Sequence, residues 1–103
     1  MRVKNNKINY NGLTAIMQRA CSTIEVAARL VQGDKYEITI TSAKDGKHSA
    51  NSLHYEGKAV DIRTWDMKPG TIKSTARVIA DRLGGKYDVV VENNHIHIEY
   101  DPK

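Results

Sequence analysis

Two short stretches carry the residues that could do chemistry. "SLHYEGKAVDI" places His54 seven residues ahead of Asp61, and "ENNHIHIEY" places His95 and His97 two apart with Glu92 just before them. Imidazole nitrogen and carboxylate oxygen are the donors that borderline-soft zinc takes, usually in a tetrahedral arrangement. Three protein ligands would leave the fourth position to a water, whose pKa the ion lowers to about 7. A carboxylate such as Glu92 could then carry a proton from that water to a leaving amine. An imidazole such as His95 could donate a hydrogen bond to a developing oxyanion. Plainer readings stand beside these. A strand histidine can be a half-buried packing group, Asp61 can pair with Arg63 or a lysine, and Glu92 can simply flank a turn. His48 reads as a loop residue or an outer partner, and Trp65 as a partly exposed packing residue.

The hairpin decides which of these groups share a face. "KYDVVVE" and "HIHIEY" flank Asn93-Asn94, and asparagine tolerates the positive φ that a two-residue turn demands. Such a turn pairs Glu92 with His95 and Val90 with His97. Paired residues point to the same side of a sheet, so Glu92, His95 and His97 lie on one face. Val89, Val91, Ile96 and Ile98 lie on the other, which must face the core. A slip of one residue would bury both histidines, so the apolar alternation selects this register. "AVDIRTW", 59–65, reads as another strand with Val60 and Ile62 facing one way and Asp61 the other. If the two strands share a sheet, Asp61 can sit beside His97, with His54 reaching in from the preceding loop.

The rest of the chain must hold these strands. Residues 12–32 read as an amphipathic helix, with Leu13, Ile16, Met17, Ala20, Cys21, Ile24, Ala28 and Val31 at helical spacing. Asn11 is placed to cap its start and Gly33 to end it. Residues 35–41 alternate as a strand, and 42–58 are a long polar loop of the kind that carries function in compact domains. Pro69 suits the first turn of a second helix, whose stripe runs through Ile72, Ala76, Ile79, Ala80 and Leu83 to Gly84-Gly85. At 103 residues the chain has room for one core, so residues 1–103 are read as one domain. One cysteine excludes an internal disulfide and any cysteine-rich metal site. The net charge of +4 is scattered and the chain has few aromatics for base stacking, which argues against a nucleic-acid binder. No apolar run is long enough to span a bilayer, and the basic N-terminal stretch lacks the apolar segment of a secretory signal.

With those residues in view, the chain resembles the superfamily of zinc D-Ala-D-Ala metallopeptidases, phage endopeptidases and the Hedgehog signalling domain. The pattern is Ser-x-His-x-x-Gly-x-Ala-x-Asp followed by His-x-His. Ser52, His54, Gly57, Ala59 and Asp61 fill the first part and His95 and His97 the second. "HSANSLHYEGKAVDI" is closest to the Hedgehog wording. The resemblance implies an α+β fold with a small antiparallel sheet carrying a Zn²⁺ site and with both helices on the other face. It implies His54, Asp61 and His97 as zinc ligands and His95 as their companion. The catalytic glutamate of many such peptidases would fall at Asn94, leaving Glu92 as its substitute. Their carboxylate-binding arginine is replaced by Lys44, with Ser52 and His48 as further substrate contacts. The function expected on this basis is a zinc metallopeptidase of phage or prophage origin. It would be made in the cytoplasm and cut peptidoglycan stem peptides at the bacterial wall, as a monomer with no nucleic-acid or membrane partner. The alternative is a non-catalytic, zinc-bearing structural or interaction module of the Hedgehog kind.

Overall fold

The computed structural model describes residues 1–43 and 56–102. The elements run β1 (Arg2–Val3), a 3-10 turn (Tyr10–Gly12), α1 (Ala15–Gln32), β2 (Thr39–Ser42), β3 (Ala59–Arg63), α2 (Ile72–Leu83), β4 (Tyr87–Val91) and β5 (His95–Tyr100). The fold is α+β, as expected. The five strands form one sheet in the order β1-β2-β3-β5-β4. The sheet is mixed rather than purely antiparallel, because β1 runs parallel to β2. Its backbone bonds, Arg2 N–H to Ile38 O and Lys4 N–H to Ile40 O, are both 2.8 Å. All other neighbours are antiparallel.

Period-two alternation gives the sheet an apolar inner face of Ile38, Ile40, Val60, Ile62, Ile96 and Ile98, all fully buried. The helices supply Met17, Ala20, Cys21, Ile24, Ala27, Ala28 and Ile79 to the same core. Burying each Ile or Met side chain contributes roughly 1.5–3 kcal/mol of transfer free energy. Burial also pushes the Cys21 thiol up to about 12, so it stays a protonated packing group.

Three local expectations are corrected. The N-cap of α1 is Thr14, whose Oγ1 accepts the Met17 N–H at 3.2 Å, and not Asn11. "YNG" is taken by the 3-10 turn, which Asn9 caps by accepting the Gly12 N–H at 3.0 Å. The buried stripe of α1 runs through Met17, Ala20, Cys21, Ile24, Ala27 and Ala28, which leaves Ile16 39% exposed. Helix α2 starts at Ile72, not at Pro69, because the 68–71 segment forms a turn closed by Thr71 N–H to Lys68 O at 3.2 Å. At the hairpin tip Val91 is 39% exposed, since β4 is an edge strand that there outruns the core.

The helices are also joined by a polar clasp that the apolar pattern does not announce. Gln32, the last residue of α1, donates to Thr71 Oγ1 at 2.7 Å and to Thr75 Oγ1 at 3.0 Å, and accepts the Lys68 N–H at 2.8 Å. Gln32 and Thr75 are both buried. Gln32→Leu removes the acceptor of the Lys68 N–H and the donor to both threonine hydroxyls, which keep only their bonds to the Lys68 and Thr71 carbonyls, a cost of about 1–3 kcal/mol. Urea unfolding should show a lower midpoint at an unchanged slope; an unchanged midpoint would contradict this account of the clasp.

Candidate metal centre

The hairpin register is the one the alternation demands. Glu92 N–H bonds His95 O at 2.8 Å, and Val90 lies opposite His97. Strands β3 and β5 are neighbours, with Asp61 directly opposite His97 and Arg63 opposite His95. The polar face therefore brings Asp61, His95, His97 and Glu99 together, each half-buried. Arg63 turns its guanidinium over the Trp65 ring, 4.5 Å from the centroid.

His97 is held at both ring nitrogens. Nδ1 lies 2.8 Å from Asp61 Oδ1, and Nε2 lies 2.8 Å from Glu99 Oε1. An ionised carboxylate only accepts, so both contacts are made when both nitrogens carry protons. The pKa of His97 is raised accordingly, first by the hydrogen bond to Asp61, against the opposing effect of burial, and then by Glu99. His95 stands further off: its Nε2 is 3.8 Å from Asp61 Oδ1, and its Nδ1 is 2.7 Å from Asn94 Oδ1.

The donor chemistry fits a zinc ion. Ligand atoms on one tetrahedral zinc are about 3.4 Å apart, given metal–ligand distances near 2.1 Å. Asp61 Oδ1 and His97 Nδ1, at 2.8 Å, need separate only by a few tenths of an ångström. A metal binding there must displace the Nδ1 proton.

His48, Lys44, Ser52 and His54 lie outside the described residues. Glu92 follows the last residue of β4 and is exposed. Glu99 is a further member of this face that the histidine pattern does not include, although period two in "HIHIEY" puts it beside both histidines. Asp88, Glu99 and Asp101 also form an acidic group with ligand atoms within 4.8 Å of one another. Among the described residues no helix is long and apolar enough to cross a membrane.

Comparison with known proteins bears on what this face is for. The family profile of the Hedgehog amino-terminal signalling domain matches residues 4–100. The chain belongs to that family. It is 37% identical over 65 residues to the Indian hedgehog B protein of Danio rerio, and 40% identical over 65 residues to the Indian hedgehog protein of Gallus gallus. Each match covers 63% of this chain and 16% of the relative, so the chain spans a small part of the hedgehog proteins it matches. The Hedgehog match overturns the metallopeptidase expectation, because the family is one of signalling domains. Peptidoglycan as the partner, phage or prophage origin, and a destination in the bacterial wall or virion fall with it, since the relatives are animal hedgehog proteins. The catalytic roles expected of Glu92 and His95, and the substrate contacts expected of His48, Ser52 and Lys44, lose the reaction they were to serve.

Proposed function

We propose that this chain is a zinc-stabilised protein-recognition module of the Hedgehog signalling kind, acting by binding and not by turnover. The observation that carries the reading is the family match over residues 4–100. His54, Asp61 and His97 would hold the ion. When bound, zinc would cross-link β3, β5 and the segment that carries His54, adding metal-binding free energy to folding.

The surface near this face suits a protein partner. Trp65 is 73% exposed and stacked by Arg63, and Trp and Arg are the residues most enriched at the energetic centres of protein interfaces. They line a groove of about 350 Å³ together with Tyr36, Thr39 and Asp66. The test is competition on cells that respond to the chicken Indian hedgehog protein. The zinc-loaded domain should displace that relative's labelled amino-terminal domain. Trp65→Ala should weaken displacement at least tenfold, equivalent to about 1.4 kcal/mol, with an unchanged unfolding midpoint. No displacement at any concentration would contradict the reading.

A further inference from the structure

We infer that Glu99 is a positioning residue for the metal centre. Its carboxylate holds the Nε2–H of His97 and thereby fixes the tautomer whose Nδ1 lone pair faces Asp61. The inference rests on the zinc reading proposed above.

A neutral imidazole has one nitrogen that donates and one with a free lone pair, and the hydrogen bond made by the first decides which is which. In His97 the two nitrogens have different surroundings. Nδ1 faces Asp61 Oδ1, the carboxylate across the strand pair, and Nε2 faces Glu99 Oε1, each at 2.8 Å. Once one proton leaves, the proton that remains goes where no metal can replace it. If it stays on Nε2, the Glu99 bond persists and the Nδ1 lone pair joins the Asp61 oxygen as a donor pair. Either neutral tautomer leaves one lone pair facing a carboxylate oxygen, and with the proton on Nε2 that exposed pair and the Asp61 oxygen are the two donors that an ion would take up together. Glu99, by holding the Nε2 proton, therefore supports the first arrangement.

The surroundings strengthen that selection. Residues 97 and 99 share one face of β5, so the contact needs no distortion of the strand. The Glu99 side chain is half-buried, which limits competition from water. Asp88 lies directly across from it on β4, and Asp88 and Asp101 bring further oxygens within 4.8 Å. That local negative field favours a carboxylate that accepts a proton-bearing partner over one left facing a lone pair. A ligating histidine whose second nitrogen is held by a carboxylate is a better-oriented and more basic donor.

The test is a zinc titration against a chromophoric chelator, with wild type, Glu99→Gln, Glu99→Ala and Asp101→Asn, each checked for fold by circular dichroism. Cobalt absorption spectra are recorded on the same four proteins. Glu99→Ala should weaken zinc binding by about 10–100-fold. Glu99→Gln, whose amide oxygen still accepts, should lose less, and Asp101→Asn should stay within a few-fold of wild type. The cobalt ligand-field bands of Glu99→Ala should match wild type in position, because the ligand set is intact. Wild-type affinity in Glu99→Ala, with zinc bound by the wild type, would overturn this assignment alone. So would shifted cobalt bands, which would make Glu99 a ligand, or loss of a separate second equivalent of metal, which would place it in an acidic cation site. A wild type that binds no zinc would overturn the metal centre itself and this role with it.

Discussion

With the proposed zinc site filled, stripping the ion with a chelator should lower the unfolding midpoint of this domain by roughly 15–30 °C while leaving it folded at room temperature. The size follows from mass action. A ligand present at a thousand times its dissociation constant, and bound only by the native state, stabilises by about 4 kcal/mol. For a chain of about 100 residues each kcal/mol moves the midpoint by about 4–8 °C. Survival of the apo fold has a separate cause. Among the described residues eighteen apolar ones are buried, and the polar face keeps hydrogen bonds of its own, from His97 to Asp61 and to Glu99. The domain thus differs from small zinc modules that have no core without their metal. Zinc should restore the midpoint of the chelated wild type and do nothing for His97→Ala or Asp61→Ala. Calorimetry with and without zinc measures this; equal midpoints for chelated and zinc-saturated wild type would contradict it.

Gly57→Ala should cost about 3 kcal/mol, combining a strained backbone with a steric collision. Gly57 adopts φ +71°, a left-handed conformation that glycine enters freely and alanine does not. Its carbonyl accepts the Thr14 N–H at 3.0 Å, which fastens the start of β3 to the N-terminal end of α1. That closeness leaves no space for a side chain. A Cβ would overlap the Gly12 carbonyl oxygen and press on Leu13 Cα at 3.2 Å and Thr14 N at 3.3 Å. These atoms are backbone and cannot rotate away, so relief requires moving the start of α1, whose Leu13 and Met17 lie in the core. Gly57 also closes the segment that carries His54, so zinc affinity should fall together with stability. Urea unfolding of the variant gives the cost, and a change below about 0.5 kcal/mol, the range of an ordinary surface substitution, would contradict the packing described.

Local rules were legible in the sequence where a single short-range constraint dominates. The hairpin is the clearest case. The alternation of Val89, Val91, Ile96 and Ile98 admits one register, and the strands pair in it, although among the described residues only glycines have a positive φ, so Asn93-Asn94 turn the chain without the conformation expected of them. The pairing of β3 with β5 is not local. The residues facing each other, Asp61 and His97, are 36 apart in the chain, and nothing within either strand specifies its neighbour. Strand β1 has no signature in the sequence because two residues carry no periodicity; it is defined by backbone bonds to Ile38 and Ile40. Thr14 and Asn11 are equally good caps by composition, and the 3-10 turn over Tyr10–Gly12 decides between them. Glu99 obeys the same period-two rule that groups His95 with His97, but a lone carboxylate in a strand is an ordinary solvent-facing residue until its contact with His97 is seen.

Function was harder to read than fold for a chemical reason. Histidines and an aspartate at metal-ligand spacing describe how an ion could be held, and an ion can activate a water or brace a sheet with the same ligands. The pattern in "SLHYEGKAVDI" and "HIHIEY" is therefore compatible with a hydrolase and with a signalling domain alike. The family match over residues 4–100 decides for the signalling domains because it spans nearly the whole chain and not the ligand pattern alone.

The most direct test is anomalous diffraction from crystals of the zinc-loaded domain, with data collected on both sides of the zinc absorption edge. The account predicts one strong peak per chain, bonded to Asp61 Oδ1 and His97 Nδ1, with His97 Nε2 still facing Glu99. A peak only among Asp88, Glu99 and Asp101, or none at all, would contradict it.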